Sequence, residues 1–105
     1  MVEPVRGRIR IEIIPWLTRS FGQRGSSRLI LEEEIDNETG MIDFLTNLSK
    51  KYPAVGVAIV DLQAGQLFDH VEIVHNDVLL GGKVVLEQVV RDGDTLVFLP
   101  AFAGG

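Results

Sequence analysis

With 105 residues, no cysteine and 46% hydrophobic residues, the chain has room for one domain with a real core and not for two, and it owns neither a disulfide nor a thiol nucleophile. Ten Lys and Arg against 15 Asp and Glu leave a formal charge of −5, so the molecule as a whole repels nucleic acid and anionic lipid. The charge is uneven: residues 1–28 hold six Arg (Arg6, Arg8, Arg10, Arg19, Arg24, Arg28) and two Glu, net +4, and the remainder is net −9, which predicts a local basic face on an acidic body.

The opening segment, MVEPVRGRIRIEIIPWL, sets Glu12 and Pro15 among its apolar residues and lacks a small-residue cleavage site, so it does not read as a signal peptide. No uninterrupted apolar run approaches the ~18 residues of a membrane span, and the expectation is a cytoplasmic protein. Residues 8–14, RIRIEII, alternate apolar Ile9, Ile11 and Ile13 with charged neighbours, the period of a strand with one wet face. The Gly, Ser and Arg-rich stretch TRSFGQRGSS predicts a long flexible hairpin connection, followed by a second strand at about 27–33.

A helix is expected to begin between Asp36 and Thr39, where Asn37 and Thr39 offer capping oxygens. Met41, Ile42, Phe44, Leu45 and Leu48 recur at three and four to make one apolar stripe; Lys50 and Lys51 suit the negative helix end, and Pro53 stops propagation. Residues 54–69 are ambiguous, because the short apolar run Ala54 to Val60 fits a strand, a loop or packed coil. A hairpin is predicted at 71–80 around His75-Asn76-Asp77, since Asn tolerates the left-handed geometry of a tight turn. Gly81-Gly82 breaks it, LEQVV predicts one helical turn, and Asp92-Gly93-Asp94 predicts a turn before a last strand, Thr95 to Leu99.

That last strand is apolar on both faces, with Leu96 and Phe98 on one and Val97 and Leu99 on the other, which suits the middle of a sheet. One helix covers one side of such a sheet, so the other side is expected to present an apolar partner surface unless residues 54–69 fold over it.

Conventional catalytic machinery is thin. There is no G-x-S-x-G, no H-E-x-x-H and no Cys nucleophile. Gly81-Gly82-Lys83 lacks the first Gly of a phosphate loop and has Val84 where a magnesium-binding hydroxyl is needed, so it reads as a turn. Gly22-Gln23-Arg24-Gly25 has the spacing of an RNA-clamping loop, but strands rather than helices flank it. His70 and His75 are expected as ordinary surface histidines, and Asp92 and Asp94 as members of a solvated turn. No metal or intrinsic cofactor is predicted.

The chain ends Pro100-Ala101-Phe102-Ala103-Gly104-Gly105. Two glycines present no side chain to a narrow channel, and six extended residues reach about 20 Å at roughly 3.3 to 3.6 Å each. The segment DGDTLVFLPAFAGG resembles the C-terminal signature of the molybdopterin synthase small subunit and thiamine sulfur carrier family: a D-G-D turn, an apolar strand, Pro and terminal Gly-Gly. VHNDVLL resembles that family's V-N-G-E hairpin, with His75 in place of its Asn; TRSFGQRGSS and residues 53–69 are longer than in the usual bacterial members.

The resemblance implies an α+β, ubiquitin-like β-grasp fold, a mixed sheet of four to five strands packed on one main helix, as a single domain over 1–105 with a flexible C-terminal tail at 100–105. It implies a sulfur carrier rather than an enzyme. The α-carboxylate of Gly105 would be adenylylated with ATP by a ubiquitin-activating-enzyme-like adenylyltransferase and converted to a thiocarboxylate. The first-ranked role is the small subunit of molybdopterin synthase, in complex with its large subunit. Gly104 would keep the approach slim, and Ala103, Phe102 and Pro100 would direct the tail, with Phe102 as an anchor. Val97 and Leu99, or their opposite-face neighbours Leu96 and Phe98, would supply the docking patch, and Asp92 and Asp94 would steer toward a basic partner. Alternatives are a carrier for thiamine or tRNA thiolation, a ubiquitin-like modifier of lysines, a non-catalytic β-grasp interaction module, and RNA binding by the arginine-rich strand and loop.

Overall fold

The computed structural model describes residues 6–14, 28–36, 38–79 and 82–100. Strands β1 (Arg6–Ile13) and β2 (Leu29–Asp36) are followed by a short β3 (Thr39–Gly40), helix α1 (Met41–Lys51), a π-helical turn (Val55–Ile59) and the small strands β4 (Val60–Asp61) and β5 (Gln66–Leu67). Then come β6 (Val71–His75), β7 (Val78–Leu79), a short helix α2 (Gly82–Leu86), β8 (Val89–Val90) and β9 (Thr95–Pro100). The main sheet runs β2-β1-β9-β6-β7, with β1 and β9 parallel at its centre and the other pairs antiparallel. A mixed five-stranded sheet on one main helix is the arrangement the sequence led us to expect.

Alternation in β1 sends Ile9, Ile11 and Ile13 to the helix side, where all three are fully buried with Leu96 and Phe98 of β9 and Ile73 of β6. Helix α1 closes this face with Met41, Phe44, Leu45 and Leu48, the expected stripe; each such side chain contributes roughly 1.5–3 kcal/mol by leaving water.

The helix starts later than capping residues alone suggested. Thr39 and Gly40 pair with Val90 and Val89 as β3 and β8, so Gly40 is the N-cap, and it offers no side-chain acceptor. The Met41 amide donates instead to the Gln88 carbonyl at 2.9 Å, and the Thr39 hydroxyl bonds the Asp36 carbonyl. A backbone carbonyl thus satisfies a helix-start amide. At the other end the Lys51 ammonium donates to Glu33 of β2 at 2.9 Å; that hydrogen bond and the Glu33 charge hold Lys51 above its ordinary pKa range.

The ambiguous segment resolves on the helix side of the sheet. Val55, Ile59 and Val60 are fully buried and join the common core with Leu67, while Asp61 accepts the Gln63 and Ala64 amides and Gly65 takes φ 65° to close the β4–β5 turn. The segment therefore does not cover the opposite face. The hairpin at β6 and β7 turns through Asn76 (φ 51°) and Asp77 (φ 67°), the twin left-handed residues that a two-residue loop requires. The short helix lies earlier than predicted: α2 buries Val85 and Leu86, whereas Val89 and Val90 are β8. Their β-branched side chains suit the extended backbone that pairing with β3 imposes.

The basic face does not form among the described residues. Register places Arg8 and Arg10 opposite Glu34 and Glu32; Arg8 approaches Glu32 at 3.7 Å, and Arg28 bonds Glu12 at 2.6 Å. The arginines are interleaved with carboxylates from the neighbouring strand.

Gly7 sits where the turn before β9 crosses β1: a Cβ there would lie 2.9 Å from both Cα and Cβ of Asp92. Gly7→Ala should lower the unfolding free energy by about 1–3 kcal/mol in urea titrations without changing the circular dichroism spectrum. Unaltered stability would show that the turn yields freely.

Candidate functional site

The strand that leads to residues 101–105 is held at the centre of the sheet, and its faces are unequal. Leu96 and Phe98 are fully buried beneath α1 and cannot meet a partner, which corrects their assignment as alternative docking residues. Val97 and Leu99 point the other way and are half-buried. Register extends Val97 into a row across all five strands: Ile30, Glu12, Val97, Val74 and Leu79. Ile30 and Leu79, at its ends, are 46% and 57% exposed. Glu12 is the one charge in the row and is bonded by Arg28. Leu99 lies opposite Glu72 one step further along.

Pro100 belongs to the sheet rather than to a tail. It pairs with Val71 as the last residue of β9, a strand end being where a residue without an N–H can be accommodated. Ala101, Phe102, Ala103, Gly104 and Gly105 lie outside the described residues.

The entry to β9 is fixed by the D-G-D turn. Gly93, at φ 85°, donates its amide to the Arg8 carbonyl, and Asp92 Oδ1 accepts the Arg8 amide at 2.9 Å, so the turn is bonded to β1 from both directions. Asp94 Oδ2 accepts the Arg91 amide at 2.9 Å and bonds His75 Nε2 at 2.8 Å, while Oδ1 accepts the Asn76 side-chain amide at 2.9 Å. Asn76 Oδ1 in turn accepts the Thr95 amide, and the Asn76 amide donates to the Thr95 carbonyl. One carboxylate therefore ties the hairpin turn of β6–β7 to the first residue of β9.

Two sequence expectations are corrected here. His75 is a buried residue, 8% exposed, and Asp94 is an internal hydrogen-bond acceptor rather than a solvated steering charge. The signal for His75 was present: in VEIVH, residues 71, 73 and 75 share a face, and the first two are core. Asp92 is exposed but committed to the Arg8 amide.

Burial alone would push the Asp94 carboxyl up. Hydrogen bonds from Asn76, His75 and the Arg91 amide, with attraction to the His75 ring when it is charged, outweigh that and hold it below the usual carboxylate range. A depressed native pKa stabilises the fold above the unfolded-state value, and that stabilisation is lost as pH falls through the native value. Wild-type stability should therefore drop on acidification through and below the ordinary carboxylate range. Asp94→Asn should cost about 1–3 kcal/mol near neutral pH and flatten this part of the profile. An unchanged acid limb in the variant would remove Asp94 from the account.

Among the described residues no group of three or more His, Asp or Glu is placed to hold a metal ion, and no helix is long and apolar enough to cross a membrane. No protein-family model matches the chain, and no curated protein matches its sequence. Solved structures do match in shape. The HVO 2177 protein of Haloferax volcanii superposes with a TM-score of 0.69 at 18% identity, over 100% of this chain and 92% of that one. SAMP1, small archaeal modifier protein 1, from Haloferax volcanii gives 0.66 at 23% identity, over 94% and 100%. A chain of the Amycolatopsis orientalis BexX/CysO complex gives 0.60 at 23%, over 92% and 99%. The likeness spans whole chains, and the fold of this protein is that of the ubiquitin-like β-grasp.

Proposed function

We propose that the chain is a ubiquitin-like sulfur carrier whose reacting group is the carboxylate of Gly105, with molybdopterin synthase small subunit as its first-ranked role. The observation that carries this reading is the presentation of β9. The strand is paired on both sides, bonded at its start through Asp92, Gly93 and Asp94, and ends at Pro100 in the middle of the sheet, beside an outward row that is apolar apart from Glu12. The fold shared with a protein named a modifier and with a chain solved in a complex supports it. So does the run from Asp92 to Gly105, DGDTLVFLPAFAGG.

The chemistry follows from the weakness of a carboxylate as an electrophile. In this reading the Gly105 carboxylate oxygen attacks the α-phosphorus of ATP in a partner adenylyltransferase, pyrophosphate leaves, and a mixed anhydride with AMP results. A sulfide-level nucleophile then attacks the carbonyl carbon and expels AMP, leaving a thiocarboxylate. In this reading base and metal belong to the partner enzyme. The chain's part is to present the terminus, with Gly104 keeping the backbone slim, Ala103 and Phe102 lying along the partner, and Val97 and Leu99 docking against it. The same activated terminus would serve a modifier that joins lysine ε-amines, a second reading favoured by the likeness to small archaeal modifier protein 1.

Incubation with a ubiquitin-activating-type adenylyltransferase, ATP and a sulfide donor should raise the intact mass by the difference between one sulfur and one oxygen. Deletion of Gly105 should abolish the gain with the fold intact. No mass change where a control carrier reacts would refute the reading. Val97→Asp, on the outward face, should weaken binding to the adenylyltransferase at least about tenfold with less effect on stability than a core substitution, because it charges the centre of the apolar row. Unimpaired binding would move the docking surface elsewhere.

A further inference from the structure

Asp92 and Asp94 are committed inside the fold, so charge on the open face comes from the strands themselves. On β1 and β2 the carboxylates of this face are already answered: Glu12 is bonded by Arg28 at 2.6 Å, Glu32 has Arg8 at 3.7 Å, and Glu34 also has a partner. Asp36 and Asp77 are exposed, at the tip of β2 and in the β6–β7 turn. Glu72 of β6 differs from all of these. It is half-buried, and its carboxylate has no bonded partner among the described residues. His70, two residues earlier, stacks on Phe68 with ring centroids 5.9 Å apart.

Position gives this carboxylate a consequence. Glu72 is the register partner of Leu99, the residue before Pro100 at the end of β9. Opposed residues of an antiparallel pair have Cα atoms about 4.5–5.5 Å apart, so a surface that excludes water from Leu99 also excludes it from Glu72. A carboxylate taken out of water without a cation is strongly unfavourable. For Glu12, in the Val97 row, the chain brings its own cation in Arg28. For Glu72 it brings none among the described residues, and a protein that docks over Leu99 has to supply one.

The inference rests on the reading that the open face meets an adenylyltransferase. We propose that Glu72 is a specificity-determining residue of that docking: its carboxylate takes an arginine or lysine side chain of the partner beside Leu99, at the point where residue 101 follows β9. The pair discriminates against partners that are apolar or acidic there, because each would leave the Glu72 charge buried and uncompensated. A second copy of this chain is a poor occupant, since a net charge of −5 opposes its approach and favours that of a basic surface.

The test uses the full chain and a ubiquitin-activating-type adenylyltransferase, read by ATP–pyrophosphate exchange and by direct binding. Glu72→Gln keeps the shape of the side chain and removes its charge. It should raise the KM for the carrier about tenfold or more with kcat unchanged, and flatten the salt dependence of binding. The urea midpoint and the amide spectrum of the free chain should stay in place apart from the neighbours of residue 72. Glu72→Lys should weaken binding further, and exchange of one partner arginine or lysine for glutamate should restore it.

Three results overturn the inference: a wild-type KM in Glu72→Gln, tighter binding by Glu72→Leu, which would reveal an apolar partner surface at this point, or self-association of the wild-type chain that Glu72→Gln abolishes. With any of them, wild-type exchange leaves the carrier reading standing. Absence of exchange and binding by the wild-type chain, where a control carrier reacts, refutes the carrier reading and the role of Glu72 with it.

Discussion

The molecule depends on one carboxylate. Asp94 draws together the hairpin turn at Asn76, the edge of the core at His75 and the first residue of β9, and Asn76 passes the constraint directly to the Thr95 backbone. A turn between strands is ordinarily a mobile place, and a few solvated hydrogen bonds would leave β9 free to shift in register. Here the acceptor is partly buried and takes three donors through its two oxygens. A carboxylate that takes three donors from two separate segments favours one arrangement of them, because any shift in register gives up several of these bonds at once. None of the buried side-chain polar atoms among the described residues lacks a hydrogen-bond partner.

The two faces of the sheet obey different rules. On the helix side, β-branched and aromatic side chains fill the space beneath α1, and residues 54–69 extend that layer instead of crossing to the other face. On the open side the rim at β1 and β2 is charged and self-compensating, while the Val97 row is apolar apart from Glu12, which Arg28 bonds, and Leu99 lies beside Glu72. A partner arriving on the open side meets an apolar centre beside a charged border, the division typical of interfaces that exclude water at their core.

Strong periodicity was legible in the sequence. RIRIEII could only alternate, the α1 stripe could only be a helix, and Asn76 with Asp77 supplied the two left-handed residues of a tight hairpin. What escaped was decided by contacts distant in sequence. Thr39 looked like a cap because capping is local, but β8, some fifty residues on, claims it for a strand. Val89 and Val90 looked helical for the same reason in reverse. Of the site, the centrality of β9 could be read from its two apolar faces, whereas the choice between those faces needed the fold. His75 was misplaced because titratable side chains are presumed wet, although its parity with Val71 and Ile73 pointed inward.

The parallel pairing of β1 with β9 has a kinetic corollary. The bond from the Arg8 amide to Asp92 closes a loop 84 residues apart, nearly the length of the chain. Contacts of such separation form late and slowly, since most of the chain must be gathered before they are rewarded. During synthesis the central pair cannot assemble until the final strand has left the ribosome. A product stalled before β9 therefore lacks the middle of its own sheet, and the core beneath α1 closes only once Leu96 and Phe98 have arrived.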